Sequence, residues 1–289
     1  MKNLILALIL GVLSSPSIAE ITLVDALQRT IVLPKPATRI IALAPHIVEN
    51  AFSAGAGDKL VGVVSYSDYP TEAKTIPQVG TYKSFSAETI VSLKPDLIIA
   101  WGSGNGMNKI SVLEKLGIPI FISDPHKLED IPKAIRDIGI LAGTQAVSEK
   151  EAFRVESSLE DLHRLYQVTA PHSVFYQVWN DPVQTINGEH MISKVIALCG
   201  GYNIFDDALS LAPKVNVESI LKRDPNAIVA SGMGEARPEW LDVWNNYPSL
   251  SAVKNNALFF VHPDHIQRPT ARILLGAKSL CEQLNTMRQ

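Results

Sequence analysis

Residues 88–104 read ETIVSLKPDLIIAWGSG, and residues 218–234 read ESILKRDPNAIVASGMG. The offset is 130 positions with no gap, and seven of the 17 aligned pairs are identical. Background residue frequencies would give about one identity. Self-similarity at a fixed offset marks a repeated structural unit. There are two copies, each inside a domain-sized span, so the pattern implies two related lobes rather than a solenoid.

Each copy has the same physical grammar. Ile90, Val91 and Leu93, like Ile220 and Leu221, place apolar groups on one helical face. Pro95 and Pro225 then stop the helix, because proline lacks an N–H and its ring clashes with the preceding turn. The short apolar runs Leu97–Trp101 and Ala227–Ser231 suit buried parallel strands. Glycines at 102, 104, 232 and 234 allow a sharp exit at the strand's carboxyl end, which is where open α/β sheets bind ligands.

At 289 residues the chain can bury a large core and divide into two domains. The formal charge of −3 argues against nucleic acid, which would need a basic stripe. Lys2, the apolar run Leu4 to Leu13 and the small-x-small site Ser17-Ile18-Ala19 describe a cleavable export leader. That run is too short to span a bilayer, and no cysteine follows it to carry a lipid anchor. In an exported chain, Cys199 and Cys281 are expected to form one disulfide, with two buried thiols as the alternative. They are too few for a metal site, and none is expected.

The chain divides into the leader (1–19), an N-terminal lobe (20–143), a connecting helix (144–169) and a C-terminal lobe (170–289). Residues 20–36 read as an extended arm. Strands are expected at 39–43, 61–64, 118–122, 174–178 and 258–261, besides the two in the repeat. Their alternation with helices predicts an α/β fold with mostly parallel sheets and right-handed crossovers. Between Thr144 and Thr169 there is no glycine or proline. Val147, Phe153, Val155, Leu159, Leu162, Leu165 and Tyr166 recur there near helical spacing, predicting one long rigid connector.

Catalytic signatures are missing. The run Gly102–Gly106 has glycine where a nucleophile elbow needs serine, and Met107 breaks the dinucleotide-binding glycine pattern. The histidines are scattered and suit surface or capping roles. His46 stands apart because it follows the first strand's carboxyl end. Tyr66, Tyr69, Tyr82, Trp101 and Trp179 all fall at or beside strand exits. There they offer flat apolar area with one polar handle each, as a small-molecule cleft does. Asp264 and Arg268 flank the last strand's exit, either to hold a polar ligand group or as an exposed pair of little consequence. Glu88 and Glu218 each fall in a helix's first turn, where the macrodipole favours a carboxylate. Their symmetry also suits docking to a two-fold partner carrying Arg or Lys.

Several further runs carry a family likeness: Ser65-Tyr66-Ser67-Asp68-Tyr69-Pro70, Leu93-Lys94-Pro95-Asp96-Leu97, Ala100-Trp101, Gly104-Asn105, Val174-Phe175, Leu198-Cys199-Gly200-Gly201, Asn203-Ile204-Phe205 and Leu280-Cys281. With Asp264 and Arg268, they make the chain resemble the periplasmic substrate-binding proteins of ABC importers, in the class whose lobes are joined by one long helix. Its cobalamin-binding branch is the most similar. The resemblance implies a non-enzymatic carrier with no cofactor, cobalamin being cargo. It places Tyr66, Tyr82, Trp101, Asp264 and Arg268 against the ligand, with Pro45 and His46 nearby. It assigns Glu88 and Glu218 to salt bridges with a permease dimer, pairs Cys199 with Cys281, and implies a periplasmic monomer. Tyr82 stands where that branch carries Trp, and Gln184 and Ala212 stand where it offers rings. Trp179 is the candidate to compensate. A ferric siderophore or haem is the alternative cargo, and a secreted hydrolase using His46 with Asp264 is a reading of another class.

Overall fold

The computed structural model describes residues 20–288 except Met233 and Glu235. The leader expected at 1–19 lies outside the described residues.

The chain opens on an antiparallel hairpin, β1 (Ile21–Val24) with β2 (Thr30–Leu33). This corrects the expected extended arm: Asp25 Oδ1 accepts the backbone N–H groups of Leu27 and Arg29 and so folds the turn. The first lobe then runs β3 (Ile40–Ala42), α1 (Pro45–Ser53), β4 (Leu60–Gly62), the small hairpin β5 (Gly80–Thr81) and β6 (Ser84–Phe85), and α2 (Ala87–Ser92). It continues through β7 (Leu97–Trp101), α3 (Gly102–Asn105), α4 (Met107–Glu114), β8 (Ile120–Ser123) and α5 (Asp130–Ala142). Next comes the connector α6 (Gln145–Tyr166). The second lobe holds β9 (His172–Gln177), the hairpin β10 (Trp179–Asn180) and β11 (Val183–Gln184), α7 (Met191–Leu198) and β12 (Gly201–Asn203). After these come α8 (Val217–Arg223), β13 (Ala227–Ala230) and a 3₁₀ stretch at Glu239–Asn246. The chain ends with α9 (Ser251–Lys254), β14 (Leu258–Phe260), α10 (Pro263–Ile266) and α11 (Ile273–Thr286). The hairpin β10–β11 replaces the loop expected from Trp179 to Pro182.

The two main sheets share one topology. The first has strand order β4-β3-β7-β8 and the second β12-β9-β13-β14, and all these neighbours pair in parallel. In each, the repeat strand takes the third place in the order. The repeat extends to backbone detail. Helices α2 and α8 are capped by Ser86 and Asn216, whose side chains accept from the N–H of Thr89 and Ser219. Lys94 and Asp224 both turn left-handed, with φ of 49° and 39°, one residue before the proline. Asp96 and Asn226 then each accept the backbone N–H that opens their lobe's first strand, from Arg39 and Ser173.

The connector is built into both lobes. One apolar cluster runs from Ile135 and Leu141 of α5 through Val155 of α6 to Val195 of α7 and Leu280 of α11. Leu159, Leu162 and Tyr166 pack on it, whereas Val147, Phe153 and Leu165 face outward, so only part of the expected stripe is buried. At 22 residues α6 is roughly 33 Å long at 1.5 Å per residue. Cys199 and Cys281 are disulfide-bonded, joining α7 to α11. Their 82-residue separation makes this a large closed loop, and the loop-entropy argument gives about 4 kcal/mol or more.

Candidate ligand-binding cleft

The carboxyl ends of β3 and β7, with the β5–β6 hairpin beside them, place His46, Trp101 and Tyr82 in one aromatic cluster. Pro45, half-buried, starts α1 immediately after β3 and so turns His46 into the first helical turn. The His46 ring meets Trp101 edge-on, with centroids 5.1 Å apart, and the Tyr82 ring lies tilted 5.8 Å from Trp101. The Trp101 Nε1 donates to Asp124 Oδ1 at 3.0 Å, which fixes the indole's direction. Gly104 is needed here: a Cβ would stand 1.9 Å from the indole. Asn105 is buried, and ties the loops together by donating to the carbonyls of Leu43 and Tyr82 while accepting the Trp101 N–H.

His46, expected near the ligand, lies buried within the aromatic cluster. It is only 4% exposed, and its Nε2 has no hydrogen-bond partner. Burial, opposed by Asp124 and helped by the Arg268 guanidinium, pushes its pKa down to about 4. The result is a neutral ring packed edge-on against Trp101. His190 and His262 do act as helix caps, accepting from Ile192 and Asp264.

Tyr66 differs from the cluster. It sits in a left-handed turn with φ of 64° and is 74% exposed. The turn is held by Ser65, whose N–H and hydroxyl both donate to the Gly80 carbonyl. On the second lobe Trp179 is exposed at the hairpin after β9, its Nε1 donating to the Asp181 carbonyl. Gln184 faces Trp179 across that hairpin and donates to the Ala212 carbonyl. Leu209 and Leu211, in the loop leading to Ala212, are exposed and extend the apolar surface of this lobe. The sequence reading passed over them because isolated leucines in a loop carry no periodic signal.

Asp264 and Arg268 are not an exposed pair. They belong to an ion network that joins the lobes. Glu49 of α1 accepts from Arg268 Nη1 at 2.7 Å and from Arg272 Nη2 and Nε at 2.8 and 2.9 Å. Asp264 lies 3.0 Å from Arg268 Nη2, and Asp68 lies 3.2 Å from Arg268 Nη1. The Tyr69 ring covers Arg272, with its centroid 4.1 Å from Cζ. Burial alone would lower the Arg268 pKa, but Glu49, Asp264 and Asp68 outweigh it and leave it raised. Asn50 adds a neutral bond across the same boundary, from Nδ2 to the Pro269 carbonyl. Glu49, Asn105 and Arg272 were missing from the sequence-derived set. A signal for Glu49 existed, namely a carboxylate on the apolar face of a helix beside Ile47, Val48 and Ala51.

Glu88 and Glu218 both lie in first helical turns, exposed, and neither joins an ion pair among the described residues. They are available for an outside partner.

Two lobes of one topology, a helix built into both, and aromatic loops at the strand exits define a substrate-binding protein. The chain belongs to the periplasmic binding protein family, whose sequence profile matches residues 40–265. It is 37% identical over 254 residues to the vitamin B12-binding protein of Vibrio campbellii, covering 88% of this chain and 92% of that one. The vitamin B12-binding protein of Vibrio cholerae is 38% identical over 251 residues, covering 87% and 90%. The crystal structure of the periplasmic vitamin B12-binding protein of Vibrio cholerae superposes with a TM-score of 0.79 at 36% identity, covering 88% and 99%. A periplasmic haem-binding protein from Roseiflexus, at 23% identity and a TM-score of 0.76 over 88% of this chain and 100% of that one, shares the fold. As a member of this family the chain is a binding protein rather than an enzyme.

Proposed function

We propose that this chain captures cobalamin between its lobes in the periplasm and delivers it to the permease of an ABC importer. The observation that carries the reading is the cluster of Tyr82, Trp101 and His46 at the strand exits of one lobe, with Trp179 and two leucines exposed on the other lobe. It occurs in a chain similar, along about nine-tenths of its length, to vitamin B12-binding relatives. Flat apolar faces suit a corrin ring, and a few polar groups at the rim suit its amide-bearing periphery. Tyr66, on its exposed turn, is a further ring at the cleft's edge. No bond is made or broken. Because α6 shares a core with both lobes, the lobes close little on binding. The leader at 1–19 directs export, and the chain acts as a monomer. Glu88 and Glu218 then offer one carboxylate per lobe to basic residues of a two-fold permease. Calorimetric titration with cyanocobalamin tests the ligand assignment. The reading expects one site of micromolar or better affinity, and the absence of heat at micromolar protein would reject it.

A further inference from the structure

Two arginines at the boundary between the lobes, one of them near the aromatic cluster, would ordinarily make an anion site, because the guanidinium fork matches carboxylates and chelate oxygens. Here the fork is already occupied. Both Glu49 oxygens are used, Oε1 by Arg268 and Arg272 and Oε2 by Arg272. Asp264 takes the other arm of Arg268 and lies 3.7 Å from Arg272 Nη2, and Asp68 approaches Arg268 as well. Two guanidiniums therefore meet three carboxylates. The Glu49 side chain is only 3% exposed. A buried ion pair is a poor device for stability alone, since apolar residues of similar volume commonly hold an interface as well or better.

We infer that Glu49 determines specificity. By holding Arg268 and Arg272 in ion pairs it keeps the polar end of the gap from presenting positive charge, so that the gap selects neutral or weakly charged ligands over anionic chelates. The inference deepens the proposed function and rests on it for the position of the site. It explains how a cleft with Arg268 near its aromatic cluster suits an amide-rimmed ligand.

Glu49→Gln keeps the shape of the side chain and removes its charge. Wild type and variant are titrated with cyanocobalamin, with monocarboxylic acids made from it by hydrolysing one peripheral amide, and with metal-free protoporphyrin. The last is a dianion with no metal for a side chain to ligate. The variant is expected to bind the acids and protoporphyrin about tenfold tighter than wild type does, with the gain shrinking as salt is raised. A merely structural Glu49 would move the neutral and anionic probes alike. Asp68→Asn, at the more exposed end of the network, is expected to give a smaller gain in the same direction, and it decides the matter if Glu49→Gln does not fold. A folded variant whose preference between neutral and anionic probes equals that of wild type overturns the inference. If wild type fails to bind cyanocobalamin, the proposed ligand is wrong instead, and the protoporphyrin titration still reads the role of Glu49.

Discussion

Glu49 Oε1 accepts the Arg268 Nη1 hydrogen bond at 2.7 Å across 219 positions of sequence, joining the first helix of one lobe to the last strand exit of the other. Arg272 reaches the same carboxylate through two nitrogens. A pair this enclosed is coupled far more strongly than a surface pair. A double-mutant cycle of Glu49→Gln and Arg272→Gln, read by urea unfolding, is expected to give a coupling of about 2 kcal/mol. Additivity to within about 0.5 kcal/mol would show that the contact contributes nothing as a pair.

Lys94 and Asp224 share a left-handed backbone but not a side-chain role. The Asp224 carboxylate accepts the Ser251 N–H and hydroxyl, both at 2.8 Å, whereas Lys94 is exposed and neither donates nor accepts through its side chain among the described residues. Glycine relieves the left-handed cost at either site. Lys94→Gly is therefore expected to raise stability by up to about 1 kcal/mol, and Asp224→Gly to lower it by roughly 1 kcal/mol. Thermal unfolding of the two variants checks this, and changes of the same sign would refute the distinction.

Acid should weaken the fold through His46. Its folded pKa is about 4 against an ordinary 6.5, so as pH falls the unfolded chain takes up the proton first. The contribution is intact above 6.5 and declines as pH drops toward 4, by on the order of 3 kcal/mol. His190, also held near 4 by burial, acts in the same direction. His46→Phe keeps a ring against Trp101 without the titration. Its melting temperature should fall less than that of wild type between about pH 7 and about pH 5. Parallel pH profiles would contradict the assignment.

Glu88→Arg and Glu218→Arg test the proposed docking role of these carboxylates. Both carboxylates are exposed, so reversal should leave folding and ligand affinity near wild type while slowing ligand uptake into vesicles that carry the permease by tenfold or so. The double variant should be worse than either alone. Uptake equal to wild type would remove these residues from the interface.

The architecture was legible because it depends on short-range patterns that the chain states twice. The proline after an amphipathic helix and the apolar run after it fix helix, strand and exit in both lobes, and the glycine-free stretch fixes α6. The cleft was legible only in part. Trp101 and Tyr82 fall together because rings at strand exits are a local signal. The burial of His46 was not legible, since it depends on Trp101 closing over it from 55 positions away. The ion network was hidden for the same reason: Glu49 and Asp68 meet Arg268 and Arg272 only when the two lobes are docked. The hairpins β1–β2 and β10–β11 were missed because their turns carry no Asn-Gly or similar dipeptide.

The most direct measurement is the visible absorption spectrum of the protein after incubation with cyanocobalamin and passage through a desalting column. A corrinoid spectrum eluting with the protein at one equivalent per chain, lost on Trp101→Ala, is the expected result. A colourless protein fraction, or retention unchanged by that substitution, would contradict the account.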